Sequence, residues 1–246
     1  MFTMRNALIT LTLAFAAFAP IVARAATYNA VTDFTTATNG VGVWTYGYGT
    51  VGNTFLLDTV SGAAFTGKSG YNYWGVSSSV SADGLPIVGH NTNNTPTPGY
   101  TPFPATDNLW MHPGNADNLD SILEFTAPTS GVYNIAGYFV RADQASGSGT
   151  GTFVSIYDGA SALMGPTFIS NTNYTDQTFN QNVTLTAGQT LEFAVARNGD
   201  YSFDSTGLSL TVTQNVAPVI PEPSSLILFG TGILGVAGSI HRRLKA

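Results

Sequence analysis

Cysteine is absent from the 246-residue sequence, so no disulfide staples the fold and no metal site rests on thiolates. Basic residues are nearly as scarce, eight Lys and Arg against fourteen Asp and Glu, and five of the eight (Arg5, Arg24, Arg242, Arg243 and Lys245) lie near the chain ends. Between residues 26 and 219 only Lys68, Arg141 and Arg197 face thirteen acids, a formal charge near −10. Such a surface repels phosphate backbones, which excludes nucleic acid as a partner. The three histidines, His90, His112 and His241, are scattered and lack the spacing of a zinc site. No Gly-x-Ser-x-Gly elbow occurs, and no segment between 26 and 219 has a long, capped helical pattern.

Gly, Ser, Thr, Asn and aromatic residues fill the space instead, a composition of strands and turns. The clearest period is two. Phe179, Gln181, Val183 and Leu185 alternate with Thr178, Asn180, Asn182 and Thr184, as in a half-buried strand. Ala187-Gly188-Gln189 reads as a turn, Leu191, Phe193 and Val195 resume the alternation, and 178–197 is predicted to be an antiparallel hairpin. A last strand is expected at Leu208, Leu210 and Val212. Residues 121–126, 132–141 and 152–158 read as further strands, with 132–141, apolar on both faces, as a central one. Aromatic-rich strands are predicted at 41–48, 54–57 and 71–76. The Asn/Thr/Pro-rich segment 88–108 reads as a long surface loop. Many short strands with Gly, Pro and Asn turns predict an all-β fold, a two-sheet antiparallel β-sandwich.

Both chain ends carry transport information. Met1 to Arg5 form a basic start, residues 7–18 an apolar stretch, and Ala23-Arg24-Ala25 a small-x-small cleavage pattern, so 1–25 reads as a signal peptide and Ala26 as the mature start. The sandwich is expected over 26–213 and a linker over 214–219. At the other end a helix-breaking Pro221-Glu222-Pro223 precedes Ser224, Ser225, the uncharged run 226–240 and a basic end with Arg242, Arg243 and Lys245. With snorkelling basic side chains, 220–246 reads as a sorting tail with a short transmembrane helix and a cytoplasmic stop, placing the body outside.

The order of these segments, with the tripeptide followed by Ser-Ser, resembles the PEP-CTERM sorting tail of bacterial envelope proteins. The family commonly has Val before the first proline; here Ile220 stands there, behind Val219. The resemblance implies recognition and cleavage by a membrane-embedded exosortase, with Pro221, Glu222 and Pro223 as the sorting motif, inner-membrane anchoring before processing, and an envelope or extracellular destination. It also implies association with exopolysaccharide or biofilm matrix. Residues 185–189 and 191–208 resemble the closing strands of jelly-roll domains such as carbohydrate-binding modules, which implies a jelly-roll-like sandwich.

Candidate chemistry is sparse. Trp44, Tyr46 and Tyr48 alternate on one predicted strand, and Tyr73, Trp74 and Trp110 complete an aromatic set that can stack on sugar rings; the competing reading is core and strand packing. Asp200, in the turn Asn198-Gly199-Asp200, and Asp204 shortly after it are candidate ligands of a structural calcium, or turn caps. Asp117, Asp120 and Glu124, after His112-Pro113-Gly114, are candidates for a general acid/base pair. His112 reads as a turn residue. The leading expectation is an exported, non-enzymatic β-sandwich of the envelope or matrix; the alternatives are a carbohydrate-binding module and a glycan-active hydrolase.

Overall fold

The computed structural model describes residues 25–65, 68–78, 84–92, 108–142, 149–170, 172, 175–215 and 225–244. The signal-peptide stretch 1–24, most of the long loop, the tripeptide Pro221-Glu222-Pro223 and Lys245 lie outside them.

Fourteen strands form among the described residues. In chain order they are β1 (Thr27–Asn29), β2 (Trp44–Thr50), β3 (Thr54–Leu57), β4 (Val60–Phe65), β5 (Lys68–Gly75), β6 (Ile87–Asn91) and β7 (Leu109–His112). They continue with β8 (Asp120–Thr126), β9 (Gly131–Arg141), β10 (Thr152–Asp158), β11 (Ser161–Ile169), β12 (Gln177–Leu185), β13 (Thr190–Arg197) and β14 (Thr206–Asn215). Sheet A runs β12-β9-β14-β7-β6-β5-β4, with β1 also paired to β14; sheet B runs β11-β10-β13-β8-β2-β3. All pairings are antiparallel. The fold is the expected two-sheet sandwich, and Ala25–Val216 forms one compact unit.

Alternation along the strands builds the core. Phe179 and Val183 of β12, Ile135 and Phe139 of β9 and Leu208, Leu210 and Val212 of β14 point inward from sheet A to meet Leu123 and Phe125 of β8 and Phe193 and Val195 of β13. The ring centroids of Phe179 and Phe193 are 6.0 Å apart across the layers, and those of Phe125 and Tyr133 5.7 Å. Gly137 faces Phe179 in the ladder; a Cβ there would collide with the Ser209 carbonyl and stand 2.9 Å from the Phe179 ring.

The predicted hairpin over 178–197 is corrected. β12 pairs with β9 in sheet A, whereas β13 pairs with β10 and β8 in sheet B. The segment between them is an inter-sheet corner, with Gly188 at φ 83°. It is tied to the neighbouring β8–β9 corner: Gly188 N–H donates to the Ala127 carbonyl (2.8 Å), Ala127 N–H to the Gln189 carbonyl (2.9 Å) and Ala187 N–H to Ser130 Oγ (3.0 Å). A hairpin and a corner share one hydrophobic pattern, because in both the apolar residues face the core. The predicted centrality of β9 agrees with its place between β12 and β14.

The C-terminal unit contributes a helix, α1 (Ser225–Arg243), with His241, Arg242 and Arg243 in its last turn. The expected transmembrane span is corrected: among the described residues no helix is long and apolar enough to cross a membrane. The uncharged run 226–240 has fifteen residues, about 22 Å of helix against a hydrocarbon core of about 30 Å. Gly230, Thr231, Gly232, Gly235, Gly238 and Ser239 dilute it further.

Candidate functional site

The aromatic set does not form a surface. Trp44, Tyr46, Tyr73, Trp74 and Trp110 are buried, at most 6% exposed, and only Tyr48 is half-buried. Tyr46 of β2 and Trp74 of β5 stack nearly parallel across the sandwich with centroids 6.4 Å apart, and Trp44 packs on Phe125 at 5.2 Å. Their polar tips serve the N-terminal segment: Trp74 Nε1 donates to the Thr35 carbonyl (2.7 Å) and Trp44 Nε1 to Asp33 Oδ2 (3.2 Å). Tyr73 and Trp110, with Ile87, form a second small core. The sugar-stacking assignment of the five buried rings is therefore corrected to packing.

Asp200 and Asp204 cap turns. Asp200 Oδ1 accepts from the N–H groups of Tyr201 (2.7 Å) and Ser202 (3.3 Å). These bonds hold its carboxyl below the ordinary range. Asp204 is buried; its Oδ1 accepts from Gly151 N–H (2.8 Å) and its Oδ2 from Thr150 Oγ1 (3.2 Å). They fasten the β13–β14 turn to the start of β10. Among the described residues no group of three or more His, Cys, Asp or Glu comes together to hold a metal.

The hydrolase candidates lie on β8 and just before it. Asp117 is exposed and pairs with Arg197 at 2.7 Å. The expected turn role of His112 is corrected: it closes β7 opposite Ile87, with its Nδ1 2.7 Å from the Pro113 carbonyl oxygen and its ring edge onto Tyr201. Asp120 and Glu124 share the outward side of β8 with Glu192 of β13, which stands opposite Glu124 in the ladder. The β2–β3 turn uses two of these three: Val51 N–H donates to Asp120 Oδ2 (3.0 Å) and Gly52 N–H to Glu192 Oε2 (2.7 Å). Desolvation first, then like charge, pushes Asp120 up to about 6 despite the Val51 bond. Glu124 is raised by desolvation and by Glu192, and Glu192 by desolvation. Asp120 and Glu192 anchor this turn to the sheet.

A different surface emerges on the outer side of sheet A, where β12, β9, β14 and β1 lie side by side. In the register, Asn182, Asn134, Thr213 and Thr27 form one row, and Asn180, Ala136, Thr211 and Asn29 the next. Thr178, Tyr138 and Ser209 bound it at one end, and Thr184, Val132 and Asn215 at the other. No residue of these four rows is charged. Amides link the strands: Asn134 Nδ2 donates to Asn180 Oδ1 (2.8 Å) and Asn182 Oδ1 (3.1 Å), Asn215 Nδ2 to Asn182 Oδ1 (3.3 Å) and Asn29 Nδ2 to Thr211 Oγ1 (3.3 Å). Rows of hydroxyls and amides repeat about every 4.8 Å across and about 6.8 Å along the strands. Each Asn amide and Thr hydroxyl both donates and accepts, which matches the hydroxyls of a neutral sugar chain. Thr178, Asn180, Asn182 and Thr184 were legible as a polar face in the sequence; their alignment with β9, β14 and β1 was not, because alternation does not say which strands are neighbours.

The family described as the PEP-CTERM protein-sorting motif matches residues 219–243. The chain thus carries a sorting signal for export to the envelope. No curated protein matches it. Among solved structures, the chain is similar to the CBM51 module of GH95 from Clostridium perfringens in complex with methyl-galactose, with 10% identity over 77% of this chain and 100% of that one and a TM-score of 0.34. A family 35 carbohydrate-binding module from Clostridium thermocellum matches at 17% identity over 52% of this chain and 90% of its own, with a TM-score of 0.28. The K3 adhesin domain of Lys-gingipain from Porphyromonas gingivalis matches at 14% over 44% and 74%, with a TM-score of 0.29.

Proposed function

We propose that this protein is an exported, non-catalytic component of the cell envelope or extracellular matrix that holds neutral polysaccharide on the Asn/Thr face of sheet A. The observation that carries this reading is an uncharged, four-strand field of amides and hydroxyls on a body of net charge near −10. Neutral sugar hydroxyls meet it without a desolvated charge, and many weak, partly water-mediated bonds along a flat face suit a polymer better than a small ligand. Replacing Asn134, Thr211 and Thr213 together by alanine is expected to lower retention on immobilised neutral polysaccharide at least tenfold. The three point away from the core, so thermal unfolding should stay within about 0.5 kcal/mol per site of the unmodified chain. Retention equal to that of the unmodified chain would sink the reading. Running the assay with calcium and with chelator tests whether an ion takes part, and unchanged glycan turnover in the Asp117/Asp120/Glu124 triple alanine variant would remove the hydrolase alternative.

Sorting follows from the tail. Exosortase is the processing partner, acting at Pro221-Glu222-Pro223; cleavage there then frees the body into the envelope or matrix. Support comes from the motif match over 219–243 and from the basic last turn of α1. Alanine in place of Pro221, Glu222 and Pro223 is expected to leave the chain at full length where the native sequence is shortened. Normal shortening and location on fractionation would refute it.

A further inference from the structure

Sheet A ends at β12, and among the described residues no strand lies beyond it. This edge differs from the others. β3 has four residues, β4 breaks register with β5 between Gly62 and Ala64, and β11 contains Gly165 and Pro166 and shifts register twice against β10. Short strands, bulges, prolines and charges are the devices by which sheet edges avoid pairing with another chain. β12 has none of them: nine residues in unbroken register with β9, without proline, glycine or charge. Phe179 and Val183, at 8% each, are also the most exposed of the buried residues in the main core.

We propose that β12 is a self-association edge, at which two copies of the chain pair antiparallel about a two-fold axis through Gln181. The sequence of β12 is self-complementary in that arrangement. With all nine residues overlapping, Asn180 of one copy faces Asn182 of the other, Thr178 faces Thr184, and Phe179 faces Val183, each pair on the same side of the sheet. Amide meets amide and hydroxyl meets hydroxyl on the outer side, while the apolar pair closes the core edge; like pairs of these kinds stabilise antiparallel ladders. A two-fold contact is isologous, so one patch serves both copies. The Asn/Thr rows then run without a break from one copy into the other, across eight strands. A single strand pair is small beside standard interfaces of ~1,200–2,000 Å², so the association is weak in solution and is strengthened where both copies are held on one polymer.

The cysteine-free chain makes the test direct. Q181C places the sole thiol against itself across the axis, within the ~4.4–6.8 Å Cα separation that a disulfide spans. Mild oxidation of cells carrying the full chain should give at least tenfold more disulfide dimer with Q181C than with T184C, whose counterpart across the axis is position 178. Adding N180K and N182K to Q181C should cut the dimer yield at least tenfold, and coexpression with the N180E/N182E/Q181C chain should restore a mixed dimer. That restoration separates lost pairing from misfolding. Equal cross-linking at 181 and 184, or a yield indifferent to the lysines, overturns the proposal, and the same oxidation of purified full chain at high concentration without polysaccharide keeps that outcome separate from a loss of glycan binding.

Discussion

Phe125→Ala is expected to destabilise the body by about 3–5 kcal/mol, the range for emptying a buried aromatic site. The ring is fully buried and contacts Tyr28 at 5.5 Å, Trp44 at 5.2 Å and Tyr133 at 5.7 Å. Those three come from β1, β2 and β9, so both sheets lose packing at once and no single side chain can relax into the hole. For a body of this size each kcal/mol moves Tm by roughly 2–4 °C, which makes the expected drop about 6–20 °C. Phe168→Ala is the matched control: that ring is 46% exposed on β11, and its removal should change stability by no more than about 1 kcal/mol. Thermal melts of the two variants settle the matter, and a Phe125→Ala melt within 2–3 °C of the unmodified chain, about 1 kcal/mol, would contradict the packing described.

Stability is expected to fall as pH rises from about 4 to about 7, and Asp58 is the main reason. This side chain, just after β3, is 1% exposed, and among the described residues neither carboxyl oxygen has a hydrogen-bond partner. Only its backbone is used, with its N–H donating to the Tyr46 carbonyl (3.1 Å) and its carbonyl accepting from Asn39 Nδ2 (2.9 Å). Burial alone raises the carboxyl from 3.8 to about 7. The folded chain therefore holds a proton that the unfolded chain releases near pH 4. Stability is fully present below that point, declines as pH rises from about 4 to about 7, and is flat above; for a shift of this size the loss is on the order of 4 kcal/mol. Asp120, Glu124 and Glu192 are also raised by desolvation and tilt the curve the same way. Asp58→Asn keeps the shape and removes the ionisation, so it should raise the denaturant midpoint at pH 8 and leave it nearly unchanged at pH 4. An equally steep pH dependence in the variant would rule out Asp58 as the source.

How far the sequence reaches is visible in particular elements. The alternation in 178–185 and 190–197 set both strands and their inward faces correctly, yet it could not distinguish a hairpin from a corner between sheets. The corner forms because Gly188 and Ala127 bond across two neighbouring crossovers, a contact between segments sixty residues apart. The aromatic residues show a similar limit. Trp44, Tyr46 and Trp74 announce strands, but only the facing of β2 and β5 across the sandwich turns them inward and removes them from the surface. Asp200 and Asp204 were legible as turn residues; that Asp204 receives Gly151 and Thr150 from the segment just before β10 was not.

The amino-acid sequence by itself determined the sorting motif and the class of fold. A sorting motif is read as a linear segment, and strand period, turn residues and net charge are local or summed properties that need no neighbours in space. Tertiary structure decided what lies where: which rings form the core, which carboxylates are spent on turns, and which strands stand side by side to make the Asn/Thr face. Those outcomes depend on pairing between distant strands, and a period of two carries the face of each residue but not the identity of its neighbour.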